Sequence, residues 1–206
     1  MPQSIRESAF TVIIRVSLPA WLPPEAVVSA LHAHEPLIGA NPYTVSYERR
    51  DFRPEEVAGD TLFHRDGPEL SAFVVRDRIP IIPGAGSWAS KGIEIPCVFQ
   101  SFTRGVRCRA DSQGVKVRSS YEVRLRGEVW GGALARPGEG NYELVEIASI
   151  ECGSIIRPFV RRSFSSAHQE ILQRVVDEVA RNGWFKRLGG PRFTRRWQHR
   201  EVVSHV

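Results

Sequence analysis

The chain has 206 residues, 42% of them hydrophobic and 25% charged, the proportions of a folded domain with a core of its own. No apolar run is long enough to span a bilayer, and the first residues lack the uninterrupted apolar stretch of a signal peptide, so a cytoplasmic location is expected. The formal net charge of +5 belongs to residues 184–206, which hold six basic and one acidic side chain; residues 1–183 carry 22 of each sign, which argues against a nucleic-acid-binding body.

Residues 9–18 (AFTVIIRVSL) are rich in branched side chains and predict the first strand. Pro19, Pro23 and Pro24 end it and open a short helix over 24–35, with Val27, Ala30, Leu31 and His34 on one side. Pro36 is expected to break that helix, with a second short turn at 37–40 before Asn41–Pro42. A second strand starts at 44–48. Residues 51–69, with six acids and two arginines, read as a loop or weak hairpin. Strands follow at 70–82, closed by Pro83-Gly84-Ala85-Gly86, at 88–102 and at 105–110, with a hairpin connection at 111–114.

Residues 115–127 alternate almost perfectly. Val115, Val117, Ser119, Tyr121, Val123 and Leu125 face one way, and Lys116, Arg118, Ser120, Glu122, Arg124 and Arg126 the other. That is a half-buried antiparallel strand with a wet outer face and two hydroxyls in its apolar inner row. After a turn region at 131–141, residues 142–152 predict the last strand. From Pro158 to Asn182, Phe164, Ala167, Ile171, Leu172, Val175, Val176 and Val179 recur at the spacing of one helical face. Strand, short helices, many strands and one long amphipathic helix is the order of an α+β helix-grip architecture. In it a curved antiparallel sheet wraps a C-terminal helix around a central cavity, which points to a small hydrophobic ligand. One domain is expected over 1–183. The tail at 184–206 also holds Trp184, Phe185, Phe193 and Trp197. Such a tail can touch an anionic membrane, but its lack of periodicity and its Gly189-Gly190-Pro191 favour an arm packed on the domain or on the partner of a homodimer.

Four places carry a resemblance: Leu31-His32-Ala33-His34-Glu35 with Ile38 and Asn41-Pro42; Asp77-Arg78-Ile79 with Pro83-Gly84; Phe99 with Gly105-Val106; and Cys152 with Phe159-Val160 and Ala167-His168. Over residues 9–182 the chain resembles an uncharacterised fungal family of START-like domains. That family lies in the helix-grip (SRPBCC) superfamily, which also holds pollen-allergen-like proteins, lipid-transfer domains and aromatic polyketide cyclases. The acidic stretch at 51–69, the tail and Ala110-Asp111 depart from the family pattern. The resemblance implies a hydrophobic ligand and a place in secondary metabolism.

No phosphate-cradling glycine loop, His-Glu-x-x-His or Gly-x-Ser-x-Gly occurs. His32 and His34 are two apart and diverge on a helix, so no metal site is expected. The three cysteines, Cys97, Cys108 and Cys152, read as buried free thiols. Candidate catalytic groups are therefore polar side chains expected to face the cavity. Tyr121 is placed inward by alternation, where its phenol needs a partner that a ligand oxygen can supply. His34 can donate to a carbonyl or move a proton, or else bond backbone carbonyls at a helix end. Asp77 projects with Phe73 and Val75 as an inward carboxylate, or else forms a turn pair with Arg78. Ser119, Trp88, Trp130, Phe73, Cys108, Phe164 and His168 are the candidate substrate-binding residues; core packing is the plainer role for the two tryptophans and Cys108, and a satisfied core histidine for His168.

The expected activity is a cyclase or isomerase of a terpenoid or polyketide that needs no cofactor. It would hold a flexible chain in a reactive shape and hydrogen-bond its carbonyl, and an intramolecular Diels–Alder-type cycloaddition fits that description. The alternative is a hydrophobic ligand carrier.

Overall fold

The computed structural model of the protein describes residues 7–64, 67–80, 90–127 and 142–187. Strand β1 runs over Glu7–Ser17, helix α1 over Pro24–His32 and helix α2 over Glu35–Gly39. Strands β2 (Thr44–Arg50), β3 (Ser71–Pro80), β4 (Ser90–Phe102), β5 (Gly105–Ser112), β6 (Val115–Leu125) and β7 (Tyr142–Gly153) follow, and α3 (Arg157–Arg187) closes the order. The strands form one antiparallel sheet in the order β1-β7-β6-β5-β4-β3-β2. Consecutive strands from β2 to β7 are neighbours, and the first strand returns to pair with the last, Glu7 facing Gly153 and Ser17 facing Glu143.

Alternation decides which residues meet the helix. On β7, Leu144, Glu146, Ala148, Ile150 and Cys152 are buried in step, matched across β6 by Ser119, Tyr121 and Val123. From the other side, α3 contributes Ile171, Leu172, Val175 and Val176, and α1 contributes Val27 and Leu31. All three cysteines are free and buried, as their strand positions imply. The α3 backbone comes close to β1, α1, α2 and β7 and makes at most marginal approaches to β3–β6. Across the middle of the sheet, side chains bridge the interval between strand and helix.

Two turns depend on their glycines. Gln113 and Gly114 both have positive φ, 52° and 77°, which gives the β5–β6 connection the twist of a two-residue hairpin. Only this pair makes the turn; Asp111 and Ser112 belong to β5. At Gly105 a Cβ atom would lie 1.8 Å from the Tyr121 carbonyl oxygen, so no other residue fits where β5 starts against β6.

Several expectations change. α1 stops at His32 and not near residue 35. Pro36 opens α2 and does not simply break α1, because a proline without N–H is tolerated in a first helical turn. Between the helices His34 takes φ 62°. Of the two readings of the acidic stretch, the loop and not the hairpin holds over residues 51–64, which contain one 3₁₀ turn at Pro54–Val57 and fold back over the outer sheet face. The outer face of β6 is not uniformly wet. Arg124 is buried there beside Glu143, which Arg15 also reaches at 2.6 Å. Pro83–Gly86, Trp88, Trp130 and the tail beyond 187 lie outside the described residues.

Candidate functional site

Glu146 is completely buried on the inner face of β7. Its neighbours explain how a carboxylate stays there. Ser119 Oγ, one strand away on β6, donates to Oε1 at 2.7 Å. His168 Nδ1, on α3, lies 2.9 Å from Oε1 and 2.8 Å from Oε2. An ionised carboxylate can only accept, so Nδ1 is the donor; Nε2 has no hydrogen-bond partner among the described residues, and in the neutral imidazole it is the nitrogen that carries the lone pair. Phe164, one turn earlier on α3, stacks on the imidazole with ring centres 3.6 Å apart and fixes its plane. The His168 side chain keeps 20% of its surface exposed, so it is reachable from outside.

Tyr121 faces the same group. Burial pushes its phenol well above the usual range, and the nearby Glu146 and Cys108 push it further. The hydroxyl therefore keeps its proton, with Glu146 and Ser119 as its side-chain hydrogen-bonding neighbours. The Cys108 thiol is raised well above its ordinary value, first by its interaction with Cys97 and then by burial, so it stays protonated and is no nucleophile. Tyr121, Ser119 and His168, expected separately from the sequence, thus meet at Glu146, which the sequence patterns do not single out, with Phe164 stacked on His168 and Cys108 opposite Ser119 on the β5–β6 ladder.

Asp77 is buried in β3 and does not form a turn with Arg78. Asn41 Nδ2 donates to one oxygen at 2.8 Å and Thr44 Oγ1 to the other at 2.7 Å. Burial raises its pKa above the ordinary carboxylate value, against the pull of those two donors and of His168. Both oxygens are engaged with residues that flank α2 and open β2, so Asp77 ties the start of β2 to β3.

His34 forms a third centre. Its ring stacks on Phe99 at 5.0 Å and meets Phe73 edge-on at 6.1 Å, and Nε2 lies 3.3 Å from Ser101 Oγ. Burial, and then the charges of His32 and Arg49, lower its pKa from 6.5 to about 4. It is a neutral imidazole on an aromatic shelf, not a helix-end histidine satisfied by carbonyls.

Two concavities lined by described residues lie away from this interior. One, of about 400 Å³, sits on the outer sheet face among Arg50, Arg53, Glu56, Pro96, Arg109 and Asp111. The other, of about 160 Å³, lies between β1 and α1 around Trp21 and Tyr142. Beside the first, ion pairs clamp residues 51–64 to the sheet, Arg50 of β2 on Glu56 and Arg118 of β6 on Asp60, and Arg118 also pairs with Asp111 of β5. Among the described residues no helix is long and apolar enough to cross a membrane.

The family model described as domain of unknown function (DUF7053) matches residues 6–181. No curated protein matches the sequence. Among solved structures the chain is similar to the Zhui aromatase/cyclase from Streptomyces sp. R1128. The TM-score is 0.58 at 10% identity, covering 89% of this chain and 100% of that one. It is similar to TTHA0849 from Thermus thermophilus, with TM-score 0.53 and 12% identity over 84% of this chain and 98% of that one. It also matches the di-domain ARO/CYC BexL from the BE-7585A biosynthetic pathway, with TM-score 0.54 and 12% identity over 82% of this chain but only 49% of that one. At such identities the likeness concerns the fold, a curved antiparallel sheet gripping a C-terminal helix.

Proposed function

The chain belongs to the DUF7053 family, and from that premise and the interior polar cluster we propose that it binds a small hydrophobic metabolite against the inner sheet face and promotes its cyclisation or isomerisation. The observation that carries this reading is His168, held through Nδ1 by the buried Glu146 with Nε2 left open, beside a phenol that keeps its proton. A buried carboxylate costs several kcal/mol even when paired, and an apolar side chain of similar size would serve packing better. The cluster therefore makes more sense as chemistry than as core.

In this reading Tyr121 donates to a substrate carbonyl and stabilises the charge that develops on its oxygen. His168 Nε2 accepts a proton from the adjacent carbon and returns it elsewhere on the chain, while Glu146 keeps the tautomer and steadies the imidazolium. His34, neutral on its aromatic shelf, is a second donor or a wall for the substrate. Asp77 is assigned to positioning, since both its oxygens are taken. A concerted cycloaddition of the Diels–Alder type needs only Tyr121 and a space between sheet and helix that folds the substrate on itself. The fold of the aromatase/cyclases supports the reading, as the fold alone.

The experiment compares wild type with Tyr121→Phe and His168→Gln on polyene and polyketone probes, following product by mass spectrometry and binding by tryptophan quenching. Product formation is expected to fall about a hundredfold in each variant while the probe still binds. Equal rates in all three proteins would refute the assignment. Tight probe binding with no turnover in wild type would favour a carrier.

A further inference from the structure

Eight large apolar side chains are exposed among the described residues, and six of them lie at one end of the sheet: Tyr43, Val45, Ile79, Ile155, Ile156 and Phe159. The strand register puts them there. β2 starts with Thr44 opposite Asp77, Ile79 pairs with Lys91 at the start of β4, and β7 ends with Gly153 opposite Glu7. The cluster is densest at the β7–α3 junction, where Ile155 is 90%, Ile156 43% and Phe159 70% exposed. Helix geometry shows why. Val160 and Phe164 pack on the core, and at 100° per residue Phe159 and Arg162 then point away from it.

Residues 152–169 contain Arg157, Arg161 and Arg162 and no aspartate or glutamate, and the acids that bound this stretch, Glu151 and Glu170, pair with Lys116 and Arg174. None of the three makes an ion pair among the described residues; Arg157 rests its guanidinium 5.3 Å from the Phe10 ring. Monomeric proteins seldom cluster exposed isoleucine and phenylalanine in this way. Bulky apolar groups interleaved with arginines that make no ion pair among the described residues match a boundary between acyl chains and anionic headgroups. A second copy of the chain fits poorly, because a symmetric contact through this patch would set arginines against arginines.

We propose that the β7–α3 junction docks on an anionic bilayer, with Ile155, Ile156 and Phe159 entering the acyl boundary and Arg157, Arg161 and Arg162 meeting the headgroups. This surface is distinct from residues 184–206, and the docking does not depend on the reaction class assigned to the interior. Since His168 lies further along the same helix, docking turns that end of the grip toward the lipid.

The test is co-sedimentation of the full chain with vesicles of phosphatidylcholine alone and of equimolar phosphatidylcholine and phosphatidylserine. Binding is expected to the mixed vesicles only, and to weaken with salt. The exposed pair Ile155→Asp and Phe159→Asp, combined, should lower the partition coefficient at least about tenfold. Each Arg161→Ala or Arg162→Ala change should lower it about fivefold. Circular dichroism melting checks that these surface variants stay folded. Absence of binding by wild type overturns the proposal. So does binding that survives the paired aspartates but is lost on removing residues 188–206. A wild-type dimer in sedimentation equilibrium that the paired aspartates dissolve, without vesicle binding, would make the patch an interface between copies and overturn it too.

Discussion

His34 links an unusual backbone conformation, burial and pH. Its ring must lose water to stack on Phe99, and the neighbouring charges of His32 and Arg49 oppose its protonation, so it titrates near 4 and not 6.5. With a depressed imidazole pKa the unfolded chain takes up the proton first as the pH falls. Stability should therefore drop between about pH 6.5 and pH 4 and level off below, by an amount on the order of 1–2 kcal/mol once residual solvent contact is allowed for. Urea unfolding at stepped pH measures this, and His34→Phe should flatten that part of the profile. A variant with the wild-type slope would disprove the assignment. At this scale the sequence is partly readable. Strict alternation on β6 places Ser119 and Tyr121 inward, as found. Glu146 is harder to see because an acid in a strand suggests a wet face, although Leu144, Ala148, Ile150 and Cys152 share its parity and carry the signal. Its tie to His168 joins a strand to a helix through space, and no local spacing encodes that.

Among the elements, β6 and β7 are held by more than their ladder. Arg124 and Glu143 are both buried on the outer face, Arg124 Nε donating to Glu143 Oε1 at 3.2 Å while Arg15 of β1 reaches the same oxygen. Removing the shared acid leaves a buried guanidinium without its counter-charge. Glu143→Gln should destabilise the protein by about 3 kcal/mol in denaturant unfolding. Arg15→Gln, at a half-exposed position, should cost less than about 1 kcal/mol. Equal costs would mean the desolvated pair is not what matters. The strands and the long helix are readable because each carries a period of its own. The 51–64 segment is not, because its acids name no partner in sequence; Asp60 finds Arg118 only once the sheet exists. The α1–α2 break is hidden for a related reason, since a proline can end one helix and begin another, and the positive-φ turn at His34 has no local signature.

For the whole molecule, the helix-grip order follows from the succession of patterns alone, because a single long amphipathic helix after a run of strands has few other ways to cover its apolar face. What the patterns do not give is how closely helix and sheet approach, which depends on side chains such as His168 and Phe164 meeting across the gap. The topology also sets a folding rate. The contacts are dominated by pairings distant in sequence, so refolding should take milliseconds to seconds and not microseconds, as stopped-flow fluorescence after denaturant dilution would record; a microsecond phase carrying the full amplitude would contradict this. The closure of β1 on β7 has a further effect during synthesis. The strand that leaves the ribosome early waits, with its ladder groups unpaired, until nearly the entire sheet has been translated. The nascent chain therefore carries an unmated, branched-residue segment until its distant mate emerges, the interval in which shielding of β-prone stretches would matter most.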